Sequence, residues 1–466
     1  MSKAVKRVVK NSFLQTFGSL GVTALNFVLS IGYAKFLGPE YYGALVTAQA
    51  QVLVWTILVD LGLSHSLIGT LTAAENQRTE ISRQGFRTRD LLYRVLFIRL
   101  CGGALGAGII FLIATTHSSP GTPRFWQDIA FTPHLFGFVL QQTAMSLAMY
   151  RHRQGLAVGA YVFGVAVSVV AALVLAAQGA PVSWLLLAQA SGGFLTGGIL
   201  FGFFFFAAMG KKRRGDTRRR ERSRGGWGKL AWRALARDAW PYAITSAALV
   251  LWQRLDQLAA SHFLGLEAGG QYGLAVRLVG TPLLVATSVC FAIFPDLQRI
   301  GLDAPERVKV ILAMVLKVIW RYGILLAGII LVVLAAIIVP LVPRFLPAIK
   351  LLPFFVPGIW AFWMQSFLVN ALFGLRQYRL VVRAHLFAIC SYGVLLPLLT
   401  INFKLHGVVW SFNIFCFAMV FFTFRAAKRC GLLRAGFLPW HAYTDPERQL
   451  LRKAMAGRGA ARGAGA

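Results

Sequence analysis

The chain has 466 residues, of which 57% are hydrophobic and 14% charged, with a formal net charge of +32, whereas ordinary soluble domains contain about 25% charged residues. Together with a mean hydropathy of +0.64, this composition argues against a soluble enzyme, a disordered chain and a disulfide-linked scaffold. It predicts a protein that is surrounded mostly by lipid.

Apolar stretches long enough to cross a bilayer recur along the chain. A bilayer core of about 30 Å requires roughly 20 apolar residues in a helix, and a helix satisfies its backbone hydrogen bonds internally. We therefore predict twelve membrane-spanning helices, called spans below, at residues 11–36, 43–71, 91–115, 126–150, 155–177, 182–209, 239–263, 270–295, 311–339, 351–375, 379–400 and 405–425.

The basic residues outside the spans lie almost entirely in alternate loops. If the N-terminus is cytoplasmic, the cytoplasmic segments contain 36 Lys and Arg and the opposite loops contain four. This asymmetry predicts that both termini are cytoplasmic. The basic segments are the N-terminus at 1–10, a linker at 210–238 and a partly disordered tail at 426–466. We expect them to contact anionic membrane lipids, so the net charge requires no nucleic acid partner.

A short motif occurs twice, 227 residues apart. The segment 36–40 (FLGPE) recurs at 263–267 (FLGLE), and each copy joins one predicted span to the next. Six spans precede the linker and six follow it, so both copies have the same orientation. The pattern predicts an all-α polytopic membrane protein with an N-lobe at 11–209 and a C-lobe at 239–425, related by a parallel repeat. Such a pair of lobes is typical of alternating-access transporters.

Several segments resemble bacterial polysaccharide flippases of the O-antigen (Wzx) type, in the MOP superfamily. They are AKFLGPEYYG (34–43) and DLGLS (60–64) in the first half, and RLDQLAASHFLG (254–265), YGLAVRL (272–278) and FPDLQR (294–299) in the second. The resemblance implies a MATE-like fold. It also implies that a polyprenyl-diphosphate-linked oligosaccharide is moved from the cytoplasmic to the outer leaflet of the bacterial inner membrane, for O-antigen or exopolysaccharide synthesis. A basic cavity around the diphosphate would be expected.

Two arginines lie deep within adjacent predicted spans. At 1.5 Å per residue, Arg254 is roughly 13 Å and Arg277 about 10 Å from the outer ends of their helices. Ionisable groups inside a membrane need a partner or a water-filled cavity. Both match charged positions of the motif above, and the planar guanidinium can bind diphosphate oxygens in pairs. We predict that both bind substrate, the alternative being structural charges neutralised by neighbours.

An acidic residue lies close to these arginines in the sequence. Asp256 is two residues from Arg254, and two helical residues subtend about 200°, so the two side chains cannot both face one cavity. Asp256 also lies at about the depth of Arg277. Two interpretations are open: a structural ion pair between Asp256 and Arg277, or a switch that binds a proton or a cation.

Three further polar residues are candidates for the substrate site. Asp60 lies 17 residues into the second span, where the alternative is an interhelical contact. Arg99 lies near the cytoplasmic end of the third span, deeper than Arg94. Asn26 belongs to a polar stripe on the first span, which could line a cavity or form hydrogen bonds between helices. We favour a cavity lining because sugars need hydrogen-bonding groups.

The motifs found in the sequence, and those absent from it, limit the possible classes of function. No nucleotide-binding, hydrolase or metal-ligand motif occurs, so we expect neither a metal nor a cofactor and favour a transporter over an enzyme. The leading hypothesis is the lipid-linked oligosaccharide flippase, with the coupling ion left open. The alternatives are a small-molecule or drug antiporter of the same superfamily and a membrane saccharide ligase or polymerase. Short outer loops argue against the enzymes, and the excess of arginines over carboxylates favours an anionic ligand.

Overall fold

The structure is a computed structural model that describes residues 3–64, 67, 88–151, 153–209, 229–303, 305–375 and 377–433, and single positions up to 445. This part of the chain is helical and contains no strand. Its helices are α1 (Lys3–Val54), α2 (Thr56–Asp60), α3 (Thr88–His117), α4 (Pro123–Ile129), α5 (Pro133–Tyr150), α6 (Gln154–Ala177), α7 (Val182–Met209), α8 (Lys229–Leu264), α9 (Leu266–Asp303), α10 (Pro305–Ile338), α11 (Leu346–Gly374) and α12 (Tyr378–Arg429).

The described helices are those of a multi-pass membrane protein. Seven helical segments have the length and hydropathy of a membrane span. The first and the last of these contain breaks, at Gly38 in α1 and Lys404 in α12, so each covers two predicted spans. Helices α5, α8 and α9 coincide with three more predicted spans. The all-helical membrane fold is confirmed, and the count of twelve spans stays a prediction.

Both copies of the repeated motif break a helix at the same glycine. Gly38 has φ 73° and Gly265 has φ 92°, in the left-handed region that glycine adopts without a steric penalty. The first break lies within α1, and the second separates α8 from α9. The prediction that each copy joins two helices is therefore confirmed. The symmetry between lobes 11–209 and 239–425 stays a prediction.

Two predicted spans are interrupted, for local reasons. The second, predicted at 43–71, is interrupted after Asp60, because Leu61 and Gly62 adopt left-handed backbone angles and the Asp60 carboxylate accepts a hydrogen bond from the Ser64 amide. The fourth begins at Pro133 rather than at residue 126. Proline lacks the N–H that the first turn of a helix leaves unpaired, so it favours a helix start.

The chain folds into two compact units. Unit 1 comprises residues 1–277, 338–349 and 396–408, and unit 2 comprises 278–337, 350–395 and 409–466. Residues 239–277 of the predicted C-lobe thus belong to the same unit as the N-terminal helices. Of the predicted basic segments, 210–228 and 446–466 lie outside the described residues, while 229–238 form the start of α8.

Within unit 1, α1 and α9 approach each other at backbone distance. A β-carbon on Gly43 would lie 1.8 Å from the carbonyl oxygen of Leu266, and one on Gly270 would lie 1.9 Å from that of Pro39. Only glycine permits this approach. Gln49 and Arg277 follow the two glycines by six and seven residues, about 9–10 Å along their helices. The crossing therefore brings these two side chains to the same level.

Glycines also hold α7 against its neighbours in unit 1. Gly193 packs on Gly137 of α5, where a β-carbon on Gly193 would lie only 2.9 Å from the Gly137 carbonyl carbon, and Gly192 packs on Ser168 of α6. Small residues allow membrane helices to pack closely. Gln189 lies on the same helix, one turn before these glycines, so its position is set by close helix packing.

Candidate functional site

A polar cavity lies within unit 1 between α1, α7 and α9. Its free volume is about 10 Å³, room for a single water molecule. Its lining residues are Asn26, Leu29, Ser30, Tyr33, Tyr42, Leu45, Val46, Gln49, Gln189 and Arg277. Most of its polar members are uncharged, and the guanidinium of Arg277 is its one charged group. A polar cavity in a bundle of apolar helices is a natural position for a ligand site, since exposing such groups to hydrocarbon is unfavourable.

Three side chains of the cavity form a hydrogen-bonded chain across three helices. The Arg277 Nη2 atom donates to Gln49 Oε1 at 3.2 Å, and Gln49 Nε2 donates to Gln189 Oε1. The chain thus runs from α9 through the second half of α1 to α7. Because both ends of the Gln49 amide are engaged, its orientation is defined, and it holds the Arg277 guanidinium at the cavity wall.

The two predicted arginines lie near each other, and neither forms an ion pair with a carboxylate in the described part of the chain. Neither Arg277 nor Arg254 forms a salt bridge to any described residue. Arg254 is partly exposed and makes no hydrogen bond within the described part of the chain. Arg254 is repelled by the charge of Arg277 and attracted by that of Asp256, so its charge is only partly compensated. Most of their ten N–H donors are therefore available to an anion.

Asp256 is held by neutral donors. Its Oδ2 atom accepts a hydrogen bond of 2.7 Å from the Tyr272 hydroxyl, and its Oδ1 accepts one of 2.7 Å from the Gln257 backbone amide. The side chain is 2% exposed. The predicted alternative of an Asp256–Arg277 ion pair is wrong for this structure. The carboxylate instead accepts a hydrogen bond from Tyr272, which lies on the same helix as Arg277.

The neighbouring residue strengthens the junction between α8 and α9. Gln257 Nε2 donates to the Gly269 carbonyl at 2.9 Å and to Ser261 Oγ at 3.2 Å. Ser261 also forms a hydrogen bond of 2.6 Å with Thr47 of α1. These bonds tie α1, α8 and α9 together beside the cavity. They fix the backbone that carries Arg254 and Arg277.

Asp60 and Arg99 pair with each other away from this cavity. Arg99 Nη2 lies 3.0 Å from Asp60 Oδ1, and the Arg99 side chain is 0% exposed against 20% for Asp60. The guanidinium also donates to Ser64 Oγ at 2.7 Å and Thr143 Oγ1 at 2.9 Å. Neither residue lines the cavity of Arg277. Their assignment to the substrate site stays a prediction, and their geometry is that of an interhelical tie.

Of the other predicted site residues, Asn26 lines the cavity beside Arg277. Three further lining residues, Tyr33, Gln49 and Gln189, were not predicted from the sequence. Each is a lone polar residue in an apolar stretch, and such residues also serve as interhelical hydrogen-bonding groups. Their spacing along the chain does not predict that the three side chains lie close together. Only the packing of α1, α7 and α9 brings them together.

Solved structures with the same architecture are membrane transporters. The lipid II flippase MurJ, in an inward closed conformation, is similar with a TM-score of 0.60 and 11% identity over 89% of this chain and 87% of that one. An inward-facing multidrug resistance MATE family transporter is similar with a TM-score of 0.64 and 13% identity, over 88% of this chain and 95% of that one. A MATE transporter of Vibrio cholerae is similar with a TM-score of 0.59 and 14% identity, over 91% of this chain and 97% of that one. The chain therefore has the fold of the MOP-superfamily transporters.

The sequence also places the chain in a family that is more specific than the fold. The family described as "Polysaccharide biosynthesis protein" matches residues 8–300, and the chain belongs to it. No curated protein sequence shows a significant match to the chain. The resemblance to polysaccharide flippases noted from the motifs is thereby confirmed at the level of the family.

Proposed function

We propose that the protein is a flippase for a polyprenyl-diphosphate-linked oligosaccharide in the bacterial inner membrane. The substrate would pass from the cytoplasmic to the outer leaflet, for O-antigen or exopolysaccharide synthesis, with both termini of the protein in the cytoplasm. The observation that carries the proposal is a pair of arginines among membrane helices, Arg254 and Arg277, that form no salt bridge to a described residue. Arg277 lines a polar cavity.

The chemistry of these arginines favours a phosphorylated ligand. A charged side chain within the membrane is unfavourable unless it is compensated, and no described carboxylate pairs with either guanidinium. A diphosphate would supply the missing negative charge. Its oxygens also match the planar fork of arginine, which forms paired, charge-assisted hydrogen bonds. Membership of a polysaccharide biosynthesis family supports a sugar-bearing lipid as the source of that diphosphate.

The size of the cavity supports a mechanism with more than one conformation. Sites for small ligands commonly enclose about 300–1,000 Å³, whereas the free volume of the cavity here is about 10 Å³. A diphosphate with an oligosaccharide therefore requires the surrounding helices to separate. In the proposed cycle the headgroup enters the widened cavity while the lipid tail stays in the bilayer. Rearrangement of the lobes then opens the cavity to the other side.

A drug antiporter is the second candidate, because MATE transporters share the fold. Its usual ligands would be organic cations, which the two arginines would repel. Asp256, the carboxylate nearest to them in the sequence, is engaged by Tyr272 and Gln257. The electrostatics of the site therefore favour the anionic lipid.

Binding measurements on the purified protein can separate the two functions. We expect polyprenyl diphosphate bearing a saccharide to bind at least about tenfold more tightly than a cationic dye, because a charge-assisted hydrogen bond contributes about 1.5–3 kcal/mol and 1.4 kcal/mol is tenfold. Dissociation constants in lipid nanodiscs would give the comparison. Tight binding of the dye with weak binding of the lipid would identify the antiporter.

A further inference from the structure

One side of the cavity is built from uncharged hydrogen-bonding groups. Asn26, Ser30 and Tyr33 occupy positions i, i+4 and i+7 of α1, which places them on one helical face, and all three line the cavity. Gln189 lines it from α7. These groups lie beside Arg277 but carry no charge. They are suited to a ligand that is polar and neutral.

Two of these groups have no partner within the described part of the chain. The Tyr33 side chain is 2% exposed, and its hydroxyl makes no hydrogen bond to a described residue. Leaving a buried hydroxyl unpaired destabilises the folded protein. The Asn26 side-chain amide also makes no hydrogen bond to a described residue, and its backbone carbonyl accepts from Ser30. Both side chains are thus available to a ligand.

We propose that Asn26, Tyr33 and Gln189 form a saccharide subsite, which binds a neutral sugar residue next to the diphosphate. This inference rests on the proposed function, because it places the sugar beside an anion held by Arg277. Sugar hydroxyls both donate and accept hydrogen bonds. Amide and phenol side chains do the same, so they can pair with hydroxyls in either sense. The tyrosine ring adds an apolar surface for the C–H face of the sugar.

Gln49 positions the two parts of the site relative to each other. Its carbonyl oxygen accepts from Arg277 at 3.2 Å, and its amide nitrogen donates to Gln189. The phosphate-binding end and the sugar-binding end are therefore joined through one side chain. This arrangement sets the separation between the anion and the first sugar residue. It selects lipids whose saccharide begins immediately after the diphosphate.

The proposal can be tested with two lipids that differ only in the sugar. The probes are a polyprenyl diphosphate without saccharide and the same lipid bearing one neutral hexose. Their dissociation constants would be measured on the full-length protein in nanodiscs. The wild-type protein should bind the hexose-bearing lipid more tightly. Tyr33→Phe should reduce this preference by up to about tenfold, the value of a good hydrogen bond, and leave the affinity for the bare lipid unchanged.

A matched control and a stability measurement complete the test. Tyr41→Phe removes the same hydroxyl from a side chain that is 59% exposed and does not line the cavity, so the preference should stay at its wild-type value. Thermal unfolding of Tyr33→Phe should be unchanged or raised, since it removes an unpaired buried hydroxyl.

The other outcomes are equally decisive. Equal affinity of the wild-type protein for both lipids, or an equal loss of both in Tyr33→Phe, would overturn the saccharide subsite and leave the diphosphate site intact. Failure of the wild-type protein to bind either lipid would instead overturn the proposed function.

Discussion

Replacing Arg277 by alanine is expected to reduce translocation of the lipid-linked saccharide by roughly 10- to 100-fold. The guanidinium lines the cavity and is oriented by Gln49 at 3.2 Å. Losing a charge-assisted hydrogen bond to phosphate removes about 1.5–3 kcal/mol, and 1.4 kcal/mol is tenfold. Arg277→Lys should recover only part of the rate, because lysine keeps the charge but not the planar fork. Arg254→Ala should give a similar loss.

The readout for these variants is transport in reconstituted vesicles, normalised to the amount of inserted protein. Lys35→Ala is the matched control. It also removes one positive charge from a membrane helix, but its side chain is exposed and lies outside the cavity lining. It should transport at the wild-type rate. Normal transport by an Arg254→Ala/Arg277→Ala double variant would show that the diphosphate is held elsewhere.

Asp60→Asn is expected to destabilise unit 1 strongly. It leaves the Arg99 guanidinium, which is 0% exposed, with only Ser64 and Thr143 as partners. Breaking a buried ion pair by removing one charge lowers the free energy of unfolding by about 3–5 kcal/mol. The loss should be visible as earlier unfolding of the purified protein on heating or in denaturing detergent.

The double variant Asp60→Asn/Arg99→Met separates structure from substrate binding. Removing both charges leaves no buried guanidinium unpaired, so most of the lost stability should return. If the pair is an interhelical tie, transport per folded molecule should also return. A stable double variant that no longer transports would instead support the prediction that Asp60 and Arg99 bind substrate.

The breaks in the helices were predictable because they depend on local residues. Gly38 and Gly265 adopt left-handed angles in both copies of the repeated motif, and glycine is the residue that does so without strain. The overall helical fold follows from the length of the apolar stretches in the same way. The interruption at Asp60 escaped prediction, because an aspartate and a following glycine also occur within continuous membrane helices.

The candidate site was only partly predictable. Arg277 was identifiable by itself, because an arginine inside a membrane span is costly wherever it packs. Gln49 and Gln189 are uncharged, and 140 residues separate them, so their meeting depends on how α1, α7 and α9 pack. One of the two interpretations of Asp256, the ion pair with Arg277, was wrong for a related reason. The depth of a residue in the membrane can be estimated from its position along the helix. Tertiary contacts determine how the helix is rotated about its own axis, and that rotation places Tyr272 against the Asp256 carboxylate.

The most direct test of the proposed function is translocation by the wild-type protein in vesicles. A fluorescent polyprenyl-diphosphate saccharide would be placed in both leaflets, and its accessibility to a membrane-impermeant quencher followed over time. A flippase with this site should move the lipid between leaflets much faster than vesicles without protein, and faster than vesicles containing Arg277→Ala. Vesicles in which the wild-type protein exports a cationic dye but leaves the lipid in its original leaflet would contradict the proposed function.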